Sequence, residues 1–155
     1  MQPIKSTCKQ YKDVRGHLSE ITPKKIKKKF IYSILTESKK NVLRGMHFNK
    51  GMKEEKLLFI LEGKILDVTI NLNKGKNFGK IFYFNLKKND ILFIPKGFAH
   101  GFIVLSEFAI FSYKVDNYYS PENESGILYN DIDLAIDWRF DNNKIIISEK
   151  DLSLN

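Results

Sequence analysis

The chain has 155 residues, 43% of them hydrophobic and 28% charged, and a formal net charge of +8. That length suits one domain, 1–155, with its own core, and the balance of apolar and charged residues excludes a disordered or fibrous chain. No apolar run approaches the roughly 20 residues a spanning helix needs, so no membrane is expected, and the lone cysteine, Cys8, excludes an internal disulfide.

The amino end, MQPIKSTCKQYK, lacks the apolar segment of a secretory signal, so a cytoplasmic protein with Cys8 as a free surface thiol is expected. The densest basic run, PKKIKKKF (Pro23 to Phe30), reads as a solvated loop or helix face. Short strand-like runs follow, rich in Ile, Val, Phe and Tyr. They are FIYSIL (Phe30 to Leu35), NVLRGMHF (Asn41 to Phe48), KLLFIL (Lys56 to Leu61) and KILDVTINL (Lys64 to Leu72). KIFYFNL (Lys80 to Leu86), DILFIP (Asp90 to Pro95), HGFIVL (His100 to Leu105) and AIFSYKV (Ala109 to Val115) complete the set. Glu62-Gly63 reads as a tight hairpin, and Asn73 to Gly75 and Lys87 to Asn89 read as turns. The tail after Ser120, with PENESG and DIDLAIDW, reads as loops and short turns. The expected fold is all-β: a cupin-type jelly-roll barrel of antiparallel strands with short C-terminal helical or loop segments, a form that can hold one small ligand.

Two motifs end strands in a histidine: RGMHF (Arg44 to Phe48) and IPKGFAHGF (Ile94 to Phe102). A jelly-roll metal site would want a second imidazole two residues after His47, where Asn49 stands; Glu54, Glu55 and His100 alone make a poor ligand set, so no metal is expected. The inventory suits proton abstraction instead. His47 is a base near neutral pH, Lys56 is a cation able to hold an enolate oxygen, and Tyr113 is a phenol able to return a proton. Taken alone, a strand histidine is more often a hydrogen-bonded structural residue, such a tyrosine more often core, and such a lysine more often solvated. The basic and aromatic residues do not interleave in the manner that stacks bases, so no nucleic acid is expected; the positive charge suits a phosphorylated small molecule.

Taken in order, DVRGHLSE (Asp13 to Glu20), SKKNVLRGMHF (Ser38 to Phe48), KLLFILEGKILDV (Lys56 to Val68), IPKGFAHGFIVLSE (Ile94 to Glu107), FSYKVDNYYSPENESGI (Phe111 to Ile127), NDIDLAIDW (Asn130 to Trp138) and SEKD (Ser148 to Asp151) resemble the dTDP-4-dehydrorhamnose 3,5-epimerase family over almost the whole chain. The resemblance implies a cofactor-free enzyme that inverts C3, C5 or both of a nucleotide-linked 4-keto-6-deoxy sugar, in deoxysugar biosynthesis for surface polysaccharide. Its alternatives are a one-centre epimerase or ketoisomerase on another nucleotide sugar, and a non-catalytic sugar-nucleotide-binding cupin. It implies His47 as base, Asp151 as the carboxylate that orients it, Lys56 beside the enolate oxygen and Tyr113 as acid. Arg44, His100, Asn49, Asp67 and Tyr119 (with Tyr118 before it) match substrate-pocket positions. Arg15 and Glu20 match residues near the nucleotide that act across a dimer interface in this family, so a homodimer is expected. The chain departs from the family pattern at Tyr32, Ile34, Asn49, Asn71, Asn73 and Arg139, and is short of the family's first strands.

Overall fold

A computed structural model describes residues 1–51 and 53–154. The strands are β1 (Ile4–Thr7), β2 (Lys9–Asp13), β3 (Gly16–Glu20), β4 (Tyr32–Lys39), β5 (Leu43–Asn49), β6 (Lys56–Glu62), β7 (Lys64–Asn71), β8 (Ile81–Lys87), β9 (Asp90–Ile94), β10 (Phe98–Val104), β11 (Phe108–Val115) and β12 (Glu124–Gly126). One helical turn, α1 (Glu149–Leu152), and two 3-10 turns follow β11. One five-stranded antiparallel sheet runs β1-β9-β6-β11-β4 and a second runs β12-β5-β10-β7-β8, with β2 and β3 forming a separate hairpin. This is the expected all-β jelly roll, with strand assignments displaced by a few residues at most.

Alternation explains how the sheets stack. On β7, Ile65, Asp67 and Thr69 take one face, and Leu66, Val68 and Ile70 the other. The inner faces of both sheets meet in a core that includes Leu58, Ile60, Leu92, Phe102 and Phe111. The outer face of the second sheet is covered by the C-terminal segment through Ile136 and Trp138, whose indole donates to Tyr129 O at 2.7 Å. The outer face of the first sheet carries Leu57, Ile91 and Phe93, covered by Cys8, Ile4, Ile26 and Phe30. Both sheets are therefore apolar on both faces, which is why central strands read as continuous apolar runs. The lysine-rich segment is a loop, as expected. Its Ile26 and Phe30 anchor it to the sheet, while Lys24, Lys25, Lys27 and Lys29 stay exposed.

Three expectations need correction. Cys8 is buried in the outer core, because β1 and the segment after it close over Ile91 and Phe93. The amino end adds strands that the sequence reading did not mark: β1 pairs with β9, and β2 with β3. PENESG contains β12, which pairs with β5 because Glu124 to Gly126 run opposite Asn49 to His47. Glu62-Gly63 is not a hairpin, since β6 and β7 belong to different sheets. Gly63 is the corner where the chain crosses between them, with φ +87°. A Cβ there would meet Phe108 O, with Ser106 Oγ at 2.7 Å and Ala109 Cα at 2.8 Å.

A Gly63→Ala substitution therefore combines backbone strain with a clash against rigid main chain. It is expected to lower stability by about 2 kcal/mol or more, read as a lower urea midpoint with an unchanged m-value.

Candidate active site

A cavity of about 400 Å³ opens between the two sheets. The second sheet contributes Arg44 and His47 from β5 and His100 from β10; the first contributes Lys56 from β6 and Tyr113 from β11. Strict alternation would put Arg44 and His47 on opposite faces of β5. The register resolves this: His100 pairs with His47 but Phe102 pairs with Arg44, so β5 carries one extra residue against β10. This bulge turns Leu43 and Met46 outward and both Arg44 and His47 inward. It depends on glycines at both strands. A Cβ on Gly45 would lie 2.6 Å from Gly101 Cα, and one on Gly101 would lie 2.6 Å from Met46 Sδ.

Behind the bulge sits Asp151. Its Oδ1 lies 2.7 Å from His47 Nε2, and its Oδ2 accepts from Gly45 N–H at 3.1 Å. The carboxylate is buried, while the imidazole remains a quarter exposed to the cavity. Ser148 caps α1 by accepting from Asp151 N–H at 3.2 Å, so the helical turn itself is held where the carboxylate is needed. The other nitrogen of the His47 ring is left for chemistry, in the arrangement of a base oriented by a third group.

His100, across the ladder from His47, makes a second pair: its Nε2 lies 2.7 Å from Asp67 Oδ2. Asp67 is fully buried, and desolvation pushes its carboxyl above the usual range, partly offset by His100 and Lys56. Its Oδ1 and the hydroxyl of Thr69, two residues along the same face of β7, have no protein partner. Lys56 Nζ lies 3.1 Å from Glu54 Oε1, and both side chains are largely buried against the cavity wall. Tyr113 is raised above its ordinary pKa, first by burial and then by the Glu54 carboxylate, with Arg44 opposing. Arg44 Nε donates to Ser38 Oγ at 3.2 Å. At the rim, Tyr119 OH donates to Glu124 Oε2 at 3.1 Å, and Lys150 pairs with the same carboxylate. Burial pushes the Glu124 carboxyl up, but Lys150, His47 and Tyr119 together hold it below the usual range.

The residues anticipated from sequence thus divide into three groups. Arg44, His47, Asn49, Lys56, His100, Tyr113 and Tyr119 line the cavity. Asp151 and Asp67 stand behind its two histidines. Arg15 and Glu20 lie elsewhere, on the β2–β3 hairpin, where Arg15 pairs with Asp13 and Glu20 accepts from Tyr11 OH at 3.0 Å. Of the departures, Tyr32 and Ile34 line the cavity from β4, whereas Asn71 and Asn73 pin a turn: Asn73 Nδ2 donates to Asn71 Oδ1 at 2.9 Å and to Lys96 O at 3.2 Å. Glu124 and Lys150 escaped sequence reading, because Glu124 sat in a segment read as loop. Glu54, from sequence only a candidate metal ligand, lines the cavity just before β6 and pairs with Lys56. Glu55 turns away and pairs with Lys28 at 2.9 Å. Among the described residues, no three His, Cys, Asp or Glu side chains gather as a metal site would require.

The chain matches the dTDP-4-dehydrorhamnose 3,5-epimerase family over residues 5–155. It is 44% identical over 115 residues to the dTDP-4-dehydrorhamnose 3,5-epimerase of Salmonella typhimurium, an alignment covering 72% of this chain and 63% of that protein. The crystal structure of dTDP-6-deoxy-D-glucose-3,5-epimerase from Legionella pneumophila, in complex with dTDP-4-keto-L-rhamnose, is 36% identical, covers 98% of this chain and 86% of its own, and superposes with a TM-score of 0.89. The Bacillus anthracis dTDP-4-dehydrorhamnose 3,5-epimerase, with TDP and PPi bound, is 34% identical, covers 99% and 93%, and gives 0.90. With the match running through both histidine motifs and the Asp151 turn, the chain belongs to the dTDP-4-dehydrorhamnose 3,5-epimerase family.

Proposed function

We propose that the chain is a cofactor-independent epimerase of a nucleotide-linked 4-keto-6-deoxy hexose. The observation that carries this reading is the placement of an Asp151-held His47 in the same cavity as Lys56 and Tyr113. His47 takes the proton from the carbon beside the ketone. The electron pair moves onto the ketone oxygen, where the Lys56 ammonium meets the developing charge. Tyr113, on the facing sheet, returns a proton to the same carbon from the opposite side, and the centre inverts. The tyrosine's raised pKa suits it to carry a proton at neutral pH. Arg44 faces the same cavity and suits the pyrophosphate of the substrate. On β4, Tyr32 and Ile34, two of the positions that depart from the family pattern, line the cavity, which motivates a nucleotide other than dTDP as a second reading of substrate choice.

We further infer a homodimer in which the β2–β3 hairpin brings Arg15 and Glu20 to a second copy. The support is that neither residue lines its own chain's cavity, and that Tyr11, Val14 and Leu18 on this hairpin are exposed. The buried free thiol of Cys8 suits the cytoplasm.

Incubation with dTDP-4-keto-6-deoxyglucose in deuterated water, followed by proton NMR, tests the reaction. Deuterium is expected at C3, C5 or both. His47→Ala is expected to abolish its entry, and Asp151→Asn to slow it by about 10²–10⁴-fold with the fold intact. Wash-in at the wild-type rate by His47→Ala would remove His47 from its role. No exchange by wild type with dTDP, but exchange with a UDP- or GDP-linked analogue, would select the second reading. Light scattering is expected to give twice the chain mass, and Leu18→Glu to shift it toward the monomer.

A further inference from the structure

Glu54 and Lys56 stand two residues apart where the chain enters β6, so both side chains face the cavity. Their charged atoms are 3.1 Å apart, and each side chain is only 18% exposed. A carboxylate this enclosed is costly unless it has a defined partner, and Lys56 is that partner. The remaining cavity groups near the Tyr113 hydroxyl are Arg44 from β5, Glu124 from β12 and Tyr32 from β4, with His47 and His100 on the facing sheet. After burial itself, the Glu54 carboxylate is the largest influence raising Tyr113's pKa, ahead of Arg44, which opposes it. Glu54 therefore couples to both groups that the proposed mechanism assigns to the ketone oxygen and to the returning proton.

We propose that Glu54 is a positioning residue for proton transfer: its carboxylate holds the Lys56 ammonium against the cavity wall and keeps a fixed negative charge in the cavity that Tyr113 also lines. The consequences rest on the epimerase reading, but the electrostatic part does not. With the carboxylate present, ionising Tyr113 would put two negative charges in one enclosed space, so the phenol keeps its proton. Replacing the carboxylate by a neutral amide removes that repulsion, and Tyr113 loses its proton at lower pH. The same amide leaves Lys56 without its ionic tether, so the ammonium is free to take other rotamers.

The test uses full-length protein carrying ¹³Cζ-tyrosine, with the Tyr113 resonance assigned by its loss in Tyr113→Phe. In Glu54→Gln, a near-isosteric change, the Tyr113 titration is expected to move to lower pH than in wild type. The alkaline limb of the deuterium-exchange rate is expected to move in the same direction. Exchange at its optimum is expected to fall about 10–10²-fold, the scale of a misplaced cavity group. Glu54→Asp keeps the charge and is expected to restore most of the Tyr113 titration. A Tyr113 titration unchanged in Glu54→Gln would overturn the proposal. A shifted titration with unchanged exchange would also overturn it, as a role in proton transfer. If wild type exchanged no nucleotide sugar at all, the epimerase reading would fall, while the resonance titration would still decide whether Glu54 governs Tyr113.

Discussion

The buried carboxylate of Asp151 ties the C-terminal turn to the bulge in β5 and to the imidazole that faces the cavity. It lies more than a hundred positions from His47, yet it meets both the imidazole and the Gly45 N–H left free by the bulge in β5. A buried carboxylate with two good partners is stable, and one left without them is strongly unfavourable. This contact bears on two things at once, the orientation of the imidazole and the conformation of the bulge, while main-chain hydrogen bonds of Ile146 to Asn41 and Leu43 help lay the C-terminal segment along the same strand. The same helical turn presents Lys150 to Glu124, so consecutive residues hold His47 and the cavity rim. The tail also covers the outer face of the second sheet through Ile136 and Trp138. Packing of the tail and alignment of the site are consequently one event.

The cavity persists because its polar walls are set into two apolar sheets. Inward positions on β7 and β10 alternate Ile65, Asp67 and Thr69, and Phe98, His100 and Phe102. Within these rows His100 and Asp67 find each other across adjacent strands, whereas the Thr69 hydroxyl has no protein partner. Cations and anions are interleaved: Arg44 and Lys56 against Glu54 and Glu124. An enclosed space with mixed charge can stabilise charge that develops transiently without a large net attraction for a charged ligand.

Much of this was legible in the sequence, for identifiable reasons. Strand runs such as KILDVTINL and AIFSYKV have the composition of pleated, buried surfaces, and their bounds moved by only a residue or two. His47, Lys56 and Tyr113 stand out as candidates because few residue types can do proton chemistry, and Asp151 because SEKD resembles a family motif; the fold brings the first three to one cavity with Asp151 behind His47. The failures share a cause. Gly63 looked like a hairpin turn because local sequence reports that the chain reverses, not which sheet it joins next. Cys8 looked like a surface thiol because its cover comes from β9, over eighty residues away. Glu124 looked like loop because a three-residue strand has no period of its own and exists only by pairing with β5.

The sequence by itself determined the all-β class, the apolar runs that need covering on both faces, and the kinds of group available for acid–base work. These are local properties, set by side-chain volume, polarity and pKa range. Only the tertiary structure decided that Arg44 and His47 face the same way, that Glu54 pairs with Lys56 at the cavity wall, and that Arg15 and Glu20 lie away from the cavity. Those outcomes depend on one extra residue in a ladder and on which strands become neighbours. Both are settled by closing the two sheets over a shared core, where a shift of one residue turns every side chain to the other face.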